Sequence, residues 1–398
     1  MTHTTISRLW LTVALVTAAL SCRAQGANTG MGGRDEGVAS ILAKLKVMDQ
    51  KNDAFNIFLN TSTAYEEHLG SDGNGGFKGR RLRFEARGCL DEHWSYRFRF
   101  KFDSSWQTQD DGLSNSLDIM MVNYQVNKRL RLKGGKQALG MGGFEYDANA
   151  IQVLDYSDFN ENFNTSLIGM ELAYDVSKGQ EISLAVSNSN NNSIDKVYPG
   201  AGLQESRHPL AVTVNWMGNR LWDKLENHWS YTYMHEASGV SNRFMMLGSR
   251  LTLNKLQCYL DYYRAWEDID RHGIVSADAA AAGIAQPVGD DASSPAIIRD
   301  VRYQSLVGYC QYHFSPHWAG FVKGFAEWAS APDISALKDY RSNYGYQVAL
   351  QWFPDLSQDA RLSLAYIGKT TRYNEAVGLP NRSSNRVELS LIYRIKIF

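Results

Sequence analysis

The most chemically pointed side chains in this chain are basic, and they recur at every second position. Arg81, Arg83 and Arg87 form one set with Glu85 between them, Arg97, Arg99 and Lys101 a second, and Arg131 and Lys133 a third. Side chains two apart along a strand share a face, so each set presents a row of cations on one surface. A one-residue shift of phase in the third set would bring in Lys136 instead. Such rows hold no nucleophile and no general base. What they can do is concentrate anions and lower the barrier to their passage through a narrow, low-dielectric space. The alternative reading is a set of merely solvated charges on a wide aqueous wall. A second group is acidic: Glu145, Asp147, Asp155, Asp158 and Glu161 all fall within residues 138–166, behind Gly140, Gly142 and Gly143. The glycines permit a sharp inward turn. An acidic loop facing a basic wall would set a transverse field that orients zwitterions and hydrated solutes. The plainer reading is an exposed loop, acidic for solubility.

The stretch that carries the second basic set shows what must position it. Trp94 to Asp103 reads W-S-Y-R-F-R-F-K-F-D, with an aromatic ring at every second position and the cations between. A strand puts those rings on one side and the charges on the other. In a soluble sheet the rings would face a core. In a membrane barrel they face lipid and the charges face a water-filled lumen. Trp94 to Phe102 spans about 27–30 Å at about 3.3 Å per residue. Tilted by about 40°, that matches the apolar band of an outer-membrane barrel, about 25 Å tall.

The chain has 398 residues, a net charge of −1, 12% aromatic residues, 8 prolines and 4 cysteines. Arg8, the apolar run Leu9 to Leu20 and Cys22-Arg23-Ala24 read as a secretory signal over residues 1–24, cut after Ala24. A lipoprotein signal ending at Cys22 is the second choice, because the usual Leu three residues earlier is missing. Beyond the signal no apolar run reaches the roughly 18 residues of a membrane helix. The mature chain is therefore expected in the periplasm, outside the cell, or in an outer membrane as a closed barrel. Residues 25–53 form a periplasmic lead-in, with helical spacing of Val38, Ile41, Leu42, Leu45 and Met48. Cys89, Cys258 and Cys310 show no metal spacing, and no cofactor is implied. Cys258 and Cys310 fall near the same ends of neighbouring strands; unpaired small apolar side chains are the favoured state over a bridge.

From residue 54 to 398 the pattern is alternation. Sixteen strands are expected, near 54–66, 77–88, 94–103, 117–126, 130–137, 167–176, 180–187, 209–217, 228–235, 243–253, 256–266, 302–314, 318–328, 342–353, 360–368 and 385–397. The strand at 243–253 alternates poorly, since Phe244 and Met246 oppose Met245 and Leu247. Connections after even strands are short, as at Asn127-Lys128 and Asn254-Lys255. Those after odd strands are mostly long, as at 138–166 and 267–301. A soluble sandwich has no reason to sort its loops by parity, whereas an outer-membrane barrel does so. The fold class is thus an all-β, antiparallel up-and-down transmembrane barrel. His-Trp recurs at His93-Trp94, His228-Trp229 and His317-Trp318, which places Trp94, Trp229 and Trp318 in an interfacial aromatic girdle and the histidines at the lipid–water boundary. The run Ala277 to Ala285 reads as a mobile loop tip.

Several stretches resemble the phosphate-selective porin O and P family in the form found in Bacteroidetes. They are K-N-D-A-F-N-I-F-L-N at 51–60, G-R-R-L-R-F-E at 79–85, R-L-K-G-G-K at 131–136 and a last strand ending at Phe398. The likeness covers Lys51 to Phe398. It implies a sixteen-stranded, trimeric outer-membrane porin, inserted by the barrel-assembly machinery, with its third loop folded into the lumen. It also implies a basic passage that some members use for phosphate or other anions. The family's selectivity arginines do not match position by position, so phosphate specificity is not carried over. The expected partners are outer-membrane lipid, further copies of the chain and small hydrophilic or anionic solutes. An enzyme reading lacks any G-x-S-x-G or any Ser/His pair on an apolar face, and a plugged structural barrel lacks a plug-sized domain. Nucleic-acid binding is excluded by the charge and the compartment.

Overall fold

Alternation begins at Asn56 and persists to Lys396. The computed structural model describes residues 55–70, 73–138, 140–163, 166–220, 224–285, 296–354 and 359–397. The signal peptide and the helical lead-in fall outside these residues. The first strands are β1 (Asn56–Leu69), β2 (Gly75–Cys89), β3 (Trp94–Lys101), β4 (Leu117–Gln125) and β5 (Leu130–Ala138). Next come β6 (Ser166–Ser177), β7 (Gln180–Asn188), β8 (Leu210–Arg220), β9 (Leu225–Ala237), β10 (Val240–Thr252) and β11 (Leu256–Ile269). The last are β12 (Arg299–Ser315), β13 (Trp318–Ser330), β14 (Arg341–Trp352), β15 (Asp359–Tyr373) and β16 (Arg382–Lys396). Each pairs antiparallel with its sequence neighbours, and β1 pairs with β16, closing the barrel. Closure leaves no unpaired edge, as backbone surrounded by lipid requires.

The outer face is apolar because one residue in two is apolar. Leu172, Tyr174 and Val176 on β6, Ile182, Leu184 and Val186 on β7, and Val212 and Val214 on β8 all point outward and are exposed. Between them Glu171, Glu181, Ser183 and Thr213 are buried toward the lumen. No described helix is long and apolar enough to cross a membrane. The loop parity expected from the sequence holds with one exception: β9 and β10 are joined by residues 238–239 alone, with Gly239 in the left-handed region at φ 72°.

The lumen is filled from one side. The connection after β5 folds inward and carries two helical turns, α1 (Phe144–Asp147) and α2 (Asp158–Glu161). Another turn, α3 (Ile194–Val197), follows β7, and α4 (Ile274–Ala281) follows β11. Phe144, Phe159 and Phe163 of the inward loop pack in one core with Phe244, Met246, Tyr259, Tyr263, Phe325, and Val275 and Ala279 of α4. Two expectations change here. Residues 277–285 are not a loose tip: the first half of that run continues a helix that packs into the lumen. The poor alternation of β10 is also explained, since Phe244 and Met246 face an apolar loop instead of water, so both faces of that strand are apolar.

The cysteine expectation is overturned as well. Cys258 and Cys310 stand directly opposite each other on β11 and β12 and form a disulfide, with Cα atoms 4.1 Å apart. Sequence placed them near the same strand ends; only the register puts them face to face. Cys89, at the end of β2, is half-buried.

Candidate functional site

Strands β2 to β5 turn their basic residues inward, as alternation dictates, and the cations meet carboxylates there. The Arg97 Nε donates to Glu85 at 3.1 Å, and Arg87 lies 4.0 Å from the same carboxylate. Arg99 grips Asp118 with Nη2 at 2.7 Å and Nε at 3.1 Å, while Arg83 approaches Asp118 at 3.9 Å. Arg131 pairs with Glu181 and Lys133 with Glu171, each at 2.6 Å. Arg81 lies 3.9 Å from Asp103. Lys101 has no carboxylate within ion-pair distance among the described residues. The arc is therefore a ladder of compensated charge. Asp118 is buried on β4 in a run of apolar residues, at a register shift between Arg99 and Phe100 of β3, which is why sequence reading passed over it.

Arg80 joins the same face, although alternation with Arg81 assigns it outward. The pairing of β1 with β2 slips between Ser62 and Thr63, so Ser62 faces Arg81 and Thr63 faces Gly79. That bulge leaves Arg80 unpaired in the ladder and turns it into the lumen. There it donates to Glu66 Oε1 at 2.8 Å, to Glu388, and to the Leu154 carbonyl of the inward loop. Lys136 is buried against Asp111 at 3.2 Å and Gln109 at 2.8 Å, in the connection after β3.

The inward loop is held against the opposite wall. Asp261 of β11 accepts the backbone N–H groups of Phe144 at 2.9 Å and Glu145 at 2.8 Å, capping α1. Glu327 of β13 accepts those of Asp158 and Phe159, both at 3.0 Å, capping α2. The N–H groups of a helical start lack internal partners, and each bond to a carboxyl acceptor contributes about 0.5–1.5 kcal/mol. Between the two turns, Ile151 and Leu154 pack on Phe321, Ala349, Ala365, Ile367 and Ile392. The Asp155 carbonyl accepts from Lys323 at 2.5 Å and from Gln347 at 2.8 Å.

The loop acids follow the same direction. Glu145 is fully buried, pairs with Lys323, and accepts from the Ser157 N–H at 2.9 Å and its hydroxyl at 2.5 Å. Asp147 meets His228 Nδ1 at 2.8 Å, and Asp155 lies 3.6 Å from Arg386. Asp158 binds Lys369, Arg341 at 2.7 Å and Asn343 at 2.9 Å. Burial pushes the Asp158 carboxyl up, but Lys369 and Arg341 outweigh it and hold it below the usual carboxylate range. Four of the five loop acids thus anchor the loop to the far wall. Glu161 alone borders the space in front of the basic arc, which corrects the expectation of an acidic loop face opposing the arginines. Asp261, Glu327, Lys323, Arg341 and Lys369 went unrecognised in the sequence. Their signal was a charged residue at an inward position, set among Tyr, Phe and Ala on β11 and β13 and among Asn, Gln, Ser and Ala on β14 and β15.

One open space lies on the basic side. A cavity of about 330 Å³ is bounded by Arg81, Arg83, Arg99, Lys101, Asp118 and Asp103 on the wall, and by Tyr146, Tyr156, Asn160 and Glu161 on the loop. Burial pushes the Tyr156 hydroxyl up to about 12 against the pull of Arg83, so it stays a neutral donor near neutral pH. Arg83 Nε and Asn160 Oδ1 are buried and have no hydrogen-bond partner among the described residues.

Outside the barrel, Trp94, Trp229 and Trp318 point outward with 43%, 41% and 38% exposure. Trp229 contacts Trp216 at 4.8 Å and Trp94 contacts Tyr124 at 4.6 Å. The histidines before them do not share one environment. His93 and His317 are at the short-turn end, whereas His228 is 3% exposed and faces the lumen. The boundary expectation for His228 fails for a simple reason: its neighbour Trp229 points out, so it must point in.

The family model described as phosphate-selective porin O and P matches residues 59–395. No curated protein matches the chain. Among solved structures, the outer-membrane channel DcaP of Acinetobacter baumannii aligns with TM-score 0.58 and 10% identity, over 86% of this chain and 96% of that one. OmpF of Salmonella typhi in complex with daunomycin aligns with TM-score 0.56 and 10% identity, over 87% and 99%. The trimer form of OmpT, an outer-membrane protein of Vibrio cholerae, aligns with TM-score 0.51 and 10% identity, over 86% and 100%. At such identities the likeness is one of fold.

Proposed function

We propose, from the premise that this chain belongs to the phosphate-selective porin O and P family, that its outer-membrane channel passes small hydrophilic solutes with a mild preference for anions. The observation that carries this reading is the meeting of Arg81, Arg83, Arg99 and Lys101 at one cavity between the wall and the inward loop. Four cations there face three carboxylates, Asp103, Asp118 and Glu161. Asp118 is committed to Arg99, and Asp103 stands 3.9 Å from Arg81. The surplus is small, so the preference is mild. A wall of fixed charge raises the local concentration of counter-ions within about one Debye length, about 10 Å at 0.1 M salt. The bias therefore weakens as salt rises.

One observation favours a second reading, a general porin without selectivity. Arg97, Arg99, Arg131 and Lys133 all carry close carboxylate partners, which leaves little free field. We take the working unit as a trimer inserted by the barrel-assembly machinery, with Trp94, Trp229 and Trp318 at the membrane interface. The trimeric form described for the Vibrio cholerae relative in fold supports that assembly.

The test is the reversal potential of purified protein in a planar bilayer across a tenfold KCl gradient. Wild type is compared with Arg81→Gln/Arg83→Gln/Lys101→Gln. An anion-directed potential that collapses in the variant is the expected outcome. A potential near zero in both selects the general porin.

A further inference from the structure

The lipid-facing surface of β10, β11 and β12 is apolar along most of its height, with Leu247, Leu260, Tyr262 and Leu306 pointing outward. Near the long-loop ends of these strands the apolar band stops at three arginines. Arg243 stands opposite Trp266, and Trp266 stands opposite Arg302, in one row across the three strands. The Arg264 guanidinium lies over the Trp266 ring, 4.7 Å from its centroid. All four side chains point outward, because the residues between them, Phe244, Ala265 and Val301, are buried on the lumen side.

The height of the row fixes its surroundings. Leu256 begins β11 at the short-turn end, and Trp266 comes ten residues later. At about 3.4 Å per residue and a tilt of about 40°, that is about 26 Å, the thickness of the apolar band. Trp266 and its arginines are therefore at the headgroup level of the outer leaflet. A Trp at that depth is ordinary; three guanidiniums around it call for an anion. The protein supplies little. Asp300 lies 3.5 Å from Arg302, with both side chains about half exposed, and Asp268 accepts the Ser241 N–H at 2.8 Å. Among the described residues no carboxylate pairs with Arg243 or Arg264.

We infer that this row is a binding site for the phosphate groups of outer-leaflet glycolipid. Guanidinium forks match phosphate oxygens in pairs, and a guanidinium stacked on indole is held flat and oriented for that contact. The charge and the headgroup depth favour a phosphorylated lipid over a second copy of the chain, whose packing against this face would bury unpaired arginines.

The experiment is a titration of the full, detergent-purified protein with diphosphorylated lipid A, read by native mass spectrometry. The site variant is Arg243→Gln/Arg264→Gln/Arg302→Gln. We expect its lipid A affinity to fall at least tenfold while its single-channel conductance stays unchanged, since none of the three lines the lumen. Wild type should likewise bind lipid A stripped of both phosphates at least tenfold more weakly. Equal binding by the variant overturns the site, and so does equal binding of the stripped lipid. Loss of oligomers with lipid binding intact also overturns it and assigns the face to contact between copies. If the variant does not fold, the stripped-lipid comparison on wild type decides.

Discussion

The two halves of the lumen obey different physics. On β2, β3 and β5 the inward side chains include arginine and lysine, set among Glu85 and Asp118, and those of β2 and β3 border an open cavity. On β9 to β15 the inward side chains include Phe244, Met246, Tyr259, Tyr263, Phe325 and Ala349, and they meet a folded loop. The first wall holds its charges beside that cavity. The second provides the hydrophobic burial and the backbone caps that fix the loop. The comparison teaches that space stays open in front of the charged arc because the loop is bound to the other side. On the proposed function, selectivity and loop anchoring would fall to different strands.

The largest effect expected on the packed side comes from Phe159→Ala. Phe159 stacks on Tyr263 at 5.2 Å and touches His272 at 4.4 Å. Loss of a buried ring costs about 3–5 kcal/mol, so the thermal midpoint in detergent should drop and the conductance should rise as the loop loosens. Lys101→Gln on the basic side should shift the reversal potential and leave the midpoint within about 0.5 kcal/mol of wild type. Equal destabilisation by both would erase the contrast. Next in size is Glu327→Ala, which removes the carboxyl cap of α2 and two backbone bonds. A loss of about 1–3 kcal/mol, with noisier single-channel current, is expected.

Acid should act on the same anchor. The Asp158 carboxyl is held below its ordinary range by Lys369 and Arg341. A depressed carboxyl contributes stability that is present above its unfolded pKa, about 3.9, and is lost as pH falls through the folded value. Conductance should therefore be steady down to about pH 4 and change below it. Arg341→Gln should move that change to higher pH. The smallest effect on the channel belongs to Cys258→Ser/Cys310→Ser. β11 and β12 are already paired along their length, so conductance and selectivity should not move, while the thermal midpoint should fall with the loss of about 2–4 kcal/mol of chain constraint.

Much of this was legible from alternation alone. The strand count, the loop parity, the outward rings of β3 and the inward direction of Arg97 and Arg99 all follow from a period of two. The inward direction of His228 was legible too, given Trp229. Other features were not. Arg80 turned inward because one bulge shifted the register with β1, and the sequence holds no mark of that shift beyond Gly79. The bonding of Cys258 to Cys310 depended on exact opposition of two strands separated by a long loop.

What the sequence by itself determined is the barrel and the chemistry of each strand face, because those depend on side chains one or two positions apart. What only the tertiary structure decided is which charges neutralise one another and where the loop acids go. Glu145, Asp147, Asp155 and Asp158 find Lys323, His228, Arg386, Arg341 and Lys369, partners up to more than half the chain away. Ion pairs of that kind form only after sixteen strands have closed into one cylinder and the loop has folded across it.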